Sequence, residues 1–147
     1  MATKRKATAV WNGTGLEGTG TLNTPNKFFD NTPYSFKSRF QNETGELGTN
    51  PEELLASAHA GCFAMALSFA IVEAGFVADE LSVEANVTLD AVEGGFGITT
   101  IVLDLVGKVA GMNETQFVEL ANGAKVGCPI SKALSSVNIT LNTKFVA

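Results

Sequence analysis

Hydrophobic and polar residues alternate along three long runs of the chain. The first run, Leu81 to Asp90, places apolar residues at odd positions and polar ones at even positions, which predicts a strand with one solvated face. After a turn at Glu93–Gly95, the run from Ile98 to Ala110 predicts the return strand of an antiparallel hairpin. Asn138 to Phe145 alternates in the same way and predicts the final strand.

The first third of the chain is rich in Gly and Thr and contains shorter β-like runs. We predict three short strands there, at Ala7–Trp11, Gly15–Thr21 and Tyr34–Phe40, with turns at Asn12-Gly13 and Pro25-Asn26. A polar loop is predicted to follow, from Gln41 to Thr49.

A long helix is predicted between this loop and the hairpin. It starts at the motif Asn50-Pro51-Glu52-Glu53, in which Asn50 suits the cap, Pro51 the first position and the two acids the positive helix end. Glu53 also has the capping-box spacing from Asn50. The predicted helix continues to Ala74, with Gly75 as a left-handed stop, and is roughly 36 Å long.

The middle of this helix has the length of a minimal membrane span. Leu54 to Val72 contains no charged residue. Small residues (Ala, Ser, Gly) dilute the segment, however, and no cluster of basic or aromatic residues flanks it. We therefore expect a buried helix at the centre of a soluble fold and no membrane partner.

Two further helices are predicted after the hairpin. Asn113 suits the cap of the first, and its apolar stripe consists of Phe117, Leu120, Ala121 and Ala124. Gly127 ends it, and Cys128-Pro129 starts a short helix that reaches about Ser135. The order of elements and the antiparallel signals predict an α+β fold, with antiparallel sheets around the long central helix.

Length, charge and cysteine count narrow the class of protein. The 147 residues suggest a single domain, 1–147, or two small and closely packed halves, and the net charge of −5 argues against a nucleic-acid partner. Two cysteines and one histidine are too few for a disulfide scaffold or a Cys/His metal site, so we predict no metal and no other cofactor. Met1–Val10 lacks the apolar run of a signal peptide, so we expect a cytoplasmic protein with reduced thiols.

The two cysteines are the main candidates for chemistry. Cys62 falls on a helical stripe of apolar residues, Leu55, Ala58, Cys62, Met65, Phe69 and Val72, and periodicity alone favours a small core residue. Cys128 lies at the predicted N-cap of the short helix, where backbone N–H groups stabilise a thiolate, although a half-buried cap without chemistry is equally compatible. Local physics therefore nominates Cys128 as the nucleophile and leaves contact between the two cysteines open.

Three other side chains complete the set of candidates. Arg39 can favour a thiolate or hold a carboxylate bidentately, or it can be a solvated strand end. Glu52 or Glu53 can pair with Arg39 or simply complement the helix dipole. His59 lies three residues before Cys62 on the same helix face and can assist the thiol, although a hydrogen-bonded core histidine is favoured.

Two segments that contain the cysteines resemble a known family. Gly48–Leu67, with its Asn-Pro-Glu-Glu helix start and Cys62, closely resembles the helix of the OsmC/Ohr family of osmotically inducible and organic-hydroperoxide-resistance proteins. Val126–Leu134, Val-Gly-Cys-Pro-Ile-Ser-Lys-Ala-Leu, resembles its second cysteine motif. Ser38-Arg39-Phe40 shortly before the helix resembles the OsmC branch rather than the Ohr branch.

The resemblance implies a thiol peroxidase for organic hydroperoxides and hydrogen peroxide, regenerated by a cellular dithiol. It implies an OsmC-like intertwined α+β homodimer with two active sites at the subunit interface. Cys62 then corresponds to the peroxidatic cysteine and Cys128 to the resolving cysteine, with Arg39 assisting and Glu52 as its carboxylate partner. The resemblance thus reverses the order of attack that local physics favours.

Helix geometry bears on how such a site is assembled. Glu52 and Cys62 are ten residues apart, which is roughly 15 Å along a straight helix. Either the helix breaks near Gly61 or the partner subunit contributes residues, and a site at a dimer interface is the simpler hypothesis.

The sequence is also compatible with two other functions. The same fold can be a non-enzymatic module that binds a small apolar ligand, with both cysteines inert. Alternatively, Cys62 and His59 can form a Cys–His hydrolase dyad, although no orienting third group and no oxyanion hole are identifiable.

Overall fold

The computed structural model describes residues 1–46 and 48–146. Leu47, within the predicted polar loop, and Ala147 lie outside the described residues. The chain divides into two compact units, residues 1–54 and residues 55–147. The elements in chain order are β1 (Thr8–Asn12), β2 (Thr19–Asn23), β3 (Thr32–Tyr34), α1 (Phe36–Phe40), α2 (Pro51–Glu73), β4 (Ala78–Val92), β5 (Gly95–Val109), α3 (Glu114–Gly127), α4 (Pro129–Ala133) and β6 (Asn138–Val146).

Three short antiparallel strands form the sheet of the first unit, in the order β1-β2-β3. Trp11, Gly20 and Tyr34 lie opposite one another on the three strands, and the two rings approach to 5.4 Å between centroids. A Cβ atom at Gly20 would collide with both rings. The glycine therefore provides the space in which this aromatic pair packs across the sheet.

The predicted strand at Tyr34–Phe40 is wrong. The strand ends at Tyr34, and Phe36–Phe40 forms helix α1. The side chain of Ser35 accepts a hydrogen bond from the N–H of Ser38, whose hydroxyl in turn accepts one from the N–H of Ser35. This reciprocal cap favours a helical turn, and the alternating aromatic residues concealed it in the sequence.

The predicted strand at Gly15–Thr21 is displaced. Residues 15–17 form a turn, in which the N–H of Gly18 bonds the carbonyl of Thr14, and β2 begins only at Thr19. Side-chain and backbone hydrogen bonds of Thr14 stabilise the turn and delay the start of pairing with β1.

The sheet of the second unit contains the predicted hairpin. Strands β4 and β5 pair antiparallel, whereas β6 pairs parallel to β5, with Ile101 opposite Ile139. The parallel pairing departs from the expectation of antiparallel sheets. Its cause is the connection from β5 to β6, because a crossover that contains α3 and α4 returns the chain to the same end of the sheet. The α+β class itself is confirmed.

The core of the second unit is formed by one face of α2, one face of α3 and the inner face of β5. Its fully buried apolar side chains are Phe63, Leu67, Ile71, Ile101, Leu103, Phe117 and Ala121. The predicted stripe of α3 is thus largely confirmed. Burial of this apolar surface provides the main stabilisation of the unit.

Helix α2 presents a different face to the core than the predicted stripe. Its buried positions recur every four residues, at His59, Phe63, Leu67 and Ile71. The stripe residues Met65, Phe69 and Val72 are instead 63%, 65% and 59% exposed. The expectation of a helix buried all round is therefore wrong for a single chain, which covers one face only.

The ends of α2 agree with the sequence prediction. The side chain of Asn50 accepts a hydrogen bond from the N–H of Glu53 at 2.9 Å. After the last turn, Gly75 adopts a positive φ of 89° and the N–H of Phe76 bonds the carbonyl of Ile71, which is a left-handed stop. Among the described residues, α2 is the one helix long and apolar enough to cross a membrane, a test that core helices also pass.

Helix α3 packs tightly against the sheet at Gly107, where a Cβ atom would collide with the ring of Phe117. We predict that Gly107→Ala lowers the free energy of unfolding by about 1–3 kcal/mol, because the ring has to move within a packed core. Gly123→Ala, on an open side of α3, is the matched control and is expected to raise stability by up to about 1 kcal/mol. Denaturant unfolding measures both, and equal stability of the two variants would contradict the tight contact.

Candidate functional site

Arg39 and Glu52 form a bidentate ion pair in the first unit. The Nε atom of Arg39 donates to Oε2 of Glu52 at 3.2 Å, and Nη2 donates to Oε1 at 2.7 Å. The side chain of Glu52 is only 14% exposed, whereas that of Arg39 is 36% exposed. Two parallel hydrogen bonds fix the plane of the guanidinium, so Arg39 is held in one orientation with part of its surface available.

Ser38 ties α1 to the start of α2 and so brings this ion pair together. Its buried hydroxyl donates to the carbonyl of Thr49, at 2.9 Å, directly before the Asn50 cap. Arg39 follows Ser38 on α1, and Glu52 lies in the first turn of α2. The anchoring role of Ser38 was missed in the sequence, although the Ser-x-x-Ser spacing was its available signal.

Of the two candidate carboxylates, Glu52 and Glu53, Arg39 binds that of Glu52. Glu52 binds Arg39, while the carboxylate of Glu53 accepts a hydrogen bond from the Thr49 hydroxyl at 3.0 Å. Arg39 lies on a helix rather than at the predicted strand end.

The second unit brings the two cysteines into contact. The thiol of Cys128 donates to Sγ of Cys62 at a sulfur–sulfur distance of 2.8 Å, and both are free thiols. Cys62 lies on α2 and is partly exposed, whereas Cys128, at the N-cap of α4, is completely buried. The contact that the sequence left open is therefore present, and only one of the two cysteines is partly exposed to solvent.

The two thiols are joined by a hydrogen bond, so the protonation of one affects the pKa of the other. Burial raises the pKa of Cys62, and the hydrogen bond with Cys128 raises it further. Burial also disfavours the Cys128 thiolate, but the interaction with Cys62 and the polar groups of Ser131 and Ile130 at the start of α4 outweigh burial and lower the pKa of Cys128. Within one chain, the negative charge of the pair therefore resides on Cys128.

The geometry of the helix cap is consistent with this distribution. In the neutral pair, Cys128 directs its proton at Cys62 and makes no close capping hydrogen bond to its own helix. Once a proton leaves, Cys62 becomes the donor, and the N–H groups at the start of α4 favour charge on Cys128.

His59 lies one turn before Cys62 and binds Ser131. Its Nε2 atom is 2.8 Å from the Ser131 hydroxyl, and both side chains are buried. Nδ1 has no hydrogen-bond partner among the described residues, and burial lowers the pKa of His59. The imidazole is therefore a neutral core group that engages Ser131, which disfavours the Cys62–His59 hydrolase alternative. Ser131 was missed in the sequence, where its place three residues after Cys128 was the only signal.

Taken together, the fold and the site define an α+β protein with a single dithiol centre, in which an accessible thiol lies against a buried one. Cys62 lies on α2 and Cys128 at the start of α4, and these are the two segments whose sequences resemble the family.

Comparison with known proteins establishes that family. A model described as OsmC-like protein matches residues 43–144, and the chain belongs to this OsmC-like family. Peroxiredoxin OsmC of Escherichia coli strain K12 is 42% identical over 142 residues, which cover 97% of this chain and 96% of that protein. The family resemblance seen in the sequence is confirmed.

Solved structures agree with the fold. The crystal structure of the organic hydroperoxide resistance protein OhrB of Bacillus subtilis has a TM-score of 0.72 and 28% identity, and covers 95% of this chain and 98% of that chain. An OsmC-like protein from Mycoplasma pneumoniae has a TM-score of 0.75 at 22% identity, with complete coverage of both chains. The latter similarity concerns the fold alone.

The lowered pKa of His59 predicts a defined acid sensitivity. The unfolded chain binds a proton at this residue near pH 6.5, whereas the folded chain does so only at lower pH, so stability falls as pH drops below 6.5. The loss reaches up to about 1.4 kcal/mol per pH unit until the folded pKa is passed. Denaturant unfolding at pH 8 and below, in steps to about pH 5, measures it.

His59→Gln is the matched control for this titration, because glutamine provides an amide donor but no proton to titrate. Its stability is expected to fall less than that of the wild type over the same pH range. Identical pH profiles would show that His59 is not the group responsible.

Proposed function

We propose that this protein is a cysteine-based peroxidase that reduces organic hydroperoxides and hydrogen peroxide, as its membership of the family and the names of its relatives suggest. The observation that carries the proposal is the 2.8 Å contact between two free thiols, of which one is accessible. Such a pair is arranged for oxidation to a disulfide. The pair fits an inert ligand-binding module poorly, because such a module requires neither contact between the two thiols nor exposure of one of them to solvent.

Cys62 is the proposed peroxidatic residue. A peroxide has to touch the attacking sulfur, and Cys128 is completely buried whereas Cys62 is partly exposed. The pKa of Cys128 is the lower one, and on that ground alone Cys128 would be the better nucleophile. We give more weight to the accessibility of Cys62, because a buried sulfur cannot meet the peroxide. The raised pKa of Cys62 means that a further positive group has to act on it before attack.

The proposed reaction has two chemical steps before reduction. The Cys62 thiol first loses its proton, and the thiolate attacks the distal oxygen of the hydroperoxide. The O–O bond breaks, Cys62 becomes a sulfenic acid, and the departing alkoxide or hydroxide takes up one proton and leaves as alcohol or water. Cys128 then forms a bond to the Cys62 sulfur, the S–O bond breaks, and the hydroxide leaves as water with the proton of Cys128. A cellular dithiol reduces the resulting disulfide and returns both thiols.

Arg39 is the proposed cation, and Glu52 orients it. Its bidentate pair leaves part of the guanidinium exposed, which suits it to stabilise both a thiolate and charge on peroxide oxygens. Helix α2 continues without a break through Gly61, and ten residues of helix separate Glu52 from Cys62 by about 15 Å. We therefore propose that each Cys62 receives its Arg39–Glu52 pair from the partner subunit of a homodimer.

An exposed apolar face of α2 supports the dimer. Met65, Phe69 and Val72 recur at helical spacing and are each more than half exposed in the single chain. A contiguous apolar stripe of this kind is typical of a subunit interface. We further propose that residues 1–147 form one OsmC-like domain that functions in the cytoplasm, in line with the full-length match to the bacterial relative.

Replacing each cysteine separately tests the order of attack. We predict that Cys62→Ser abolishes consumption of tert-butyl hydroperoxide, whereas Cys128→Ser permits about one turnover and then accumulates sulfenic or sulfinic acid. Peroxide loss and intact-protein mass spectrometry measure both. Conversely, a fully active Cys62→Ser variant, or single-turnover consumption in Cys62→Ser but not in Cys128→Ser, would contradict the assignment.

The subunit interface is tested at Phe69. Phe69→Glu is expected to shift the protein to monomers and to reduce peroxidase activity by at least about ten-fold, because a buried charge opposes association and the site loses the partner's Arg39. Phe96→Glu is the matched control, since Phe69 and Phe96 are each 65% exposed. Sedimentation and activity are measured in parallel, and a monomeric Phe69→Glu variant with full activity would refute the shared site.

A further inference from the structure

Two contacts join the same pair of helices around the dithiol. Cys62 of α2 touches Cys128 at the start of α4, and His59 of α2 binds Ser131 of α4. Each partner of the second contact lies three residues from the corresponding cysteine, which is one helical turn. Both contacts measure 2.8 Å. Because their residues are one turn apart on each helix, the His59–Ser131 hydrogen bond is a second link between α2 and α4 beside the sulfur pair.

This second link is a costly one for a core. His59 is fully buried, Ser131 is 6% exposed, and Nδ1 of His59 has no partner among the residues that the structure describes. A buried polar atom without a partner is destabilising, and apolar side chains of the same shape avoid that penalty. Packing alone therefore does not explain a His–Ser pair at this position.

The position of Ser131 connects the link to the chemistry of Cys128. Cys128 is the N-cap of α4 and Ser131 is its third residue, the position from which a side chain reaches back towards the cap. Ser131 also contributes to the lowered pKa of Cys128. The hydrogen bond from His59 therefore fixes a residue that lies in the first turn after the buried cysteine.

We propose that His59 and Ser131 are positioning residues for disulfide formation: their buried hydrogen bond holds the start of α4 on α2 and so keeps Cys128 in contact with Cys62. The proposal rests on the peroxidase function given above. It concerns the second step, in which Cys128 bonds to the sulfur of the Cys62 sulfenic acid and water leaves. The proposal places the imidazole proton on Nε2, so that His59 donates the hydrogen bond to the Ser131 oxygen.

A single-turnover experiment separates the two steps. One equivalent of tert-butyl hydroperoxide is mixed with reduced full-length protein, and the rate of sulfenic acid formation, trapped with dimedone, is compared with the rate of disulfide formation. Ser131→Ala and His59→Leu are expected to lower the ratio of the second rate to the first by at least about ten-fold, because small misplacements of reacting groups have effects of this size. In a second experiment with excess peroxide, both variants are also expected to accumulate Cys62 sulfinic acid, because a second equivalent oxidises the sulfenic acid that persists.

Two further variants make the readout specific. His59→Gln retains an N–H donor near the place of Nε2 and is expected to recover most of the wild-type ratio. Ser135→Ala, an exposed serine just beyond α4, is the matched control and is expected to match the wild type. Circular dichroism establishes that each variant is folded, and Ser131→Ala decides the matter if His59→Leu fails to fold.

The outcomes distinguish this inference from the peroxidase function. If the wild type forms no sulfenic acid with the peroxide, the proposed function fails. If it does, but folded Ser131→Ala keeps the wild-type ratio, or if both rates fall equally, the positioning role alone is refuted. A His59→Gln variant as impaired as His59→Leu would likewise refute the donor role of His59.

Discussion

The packing of one face of α2 against the sheet of β4–β6 is the contact on which the dithiol centre depends. The residues that recur every four positions from His59 to Ile71 face the core, so the neighbouring positions, including Cys62, lie at its edge. The crossover after β5 then has to return over the same sheet, and it delivers the start of α4 to this edge. A buried sulfur thus meets a partly exposed one, which is the asymmetry that a peroxidatic and resolving pair needs.

Acidity and access oppose each other at this centre. The start of α4 favours a thiolate on Cys128, but its complete burial keeps peroxide away. Cys62 can be reached, but burial and its neighbour raise its pKa. In the proposed mechanism an external cation removes this conflict, and that role is assigned to Arg39, whose guanidinium is oriented by Glu52 and still partly exposed. In the same mechanism a low pKa makes Cys128 a good leaving thiolate when the disulfide is reduced.

The same conflict gives a reason for the apolar residues on the outer face of α2. A single chain leaves Met65, Phe69 and Val72 in water, which no interior requirement explains. In the proposed homodimer, a second copy covers these residues and also supplies the cation for Cys62. The stability of that dimer and the activity of its site would then depend on one interface.

Much of the fold could be predicted from the sequence because its signals are local. Alternation specified the β4–β5 hairpin, and the Asn50 and Asn113 caps together with the stop at Gly75 specified the ends of two helices. The cysteine motifs and Ser38-Arg39-Phe40 indicated the family and the candidate residues. Helix α1 was mistaken for a strand because its aromatic alternation masked a side-chain cap.

What only the tertiary structure decided concerns residues distant along the chain. The contact of Cys62 with Cys128, the choice of Glu52 by Arg39, the parallel pairing of β6 and the His59–Ser131 link all arise from how elements cross and pack. Which side of α2 is exposed was also decided by the tertiary structure. The helix is apolar on every face, so its sequence does not indicate which face packs against the rest of the same chain. Periodicity and capping act within a few residues, whereas access, pairing and burial depend on the path of the whole chain.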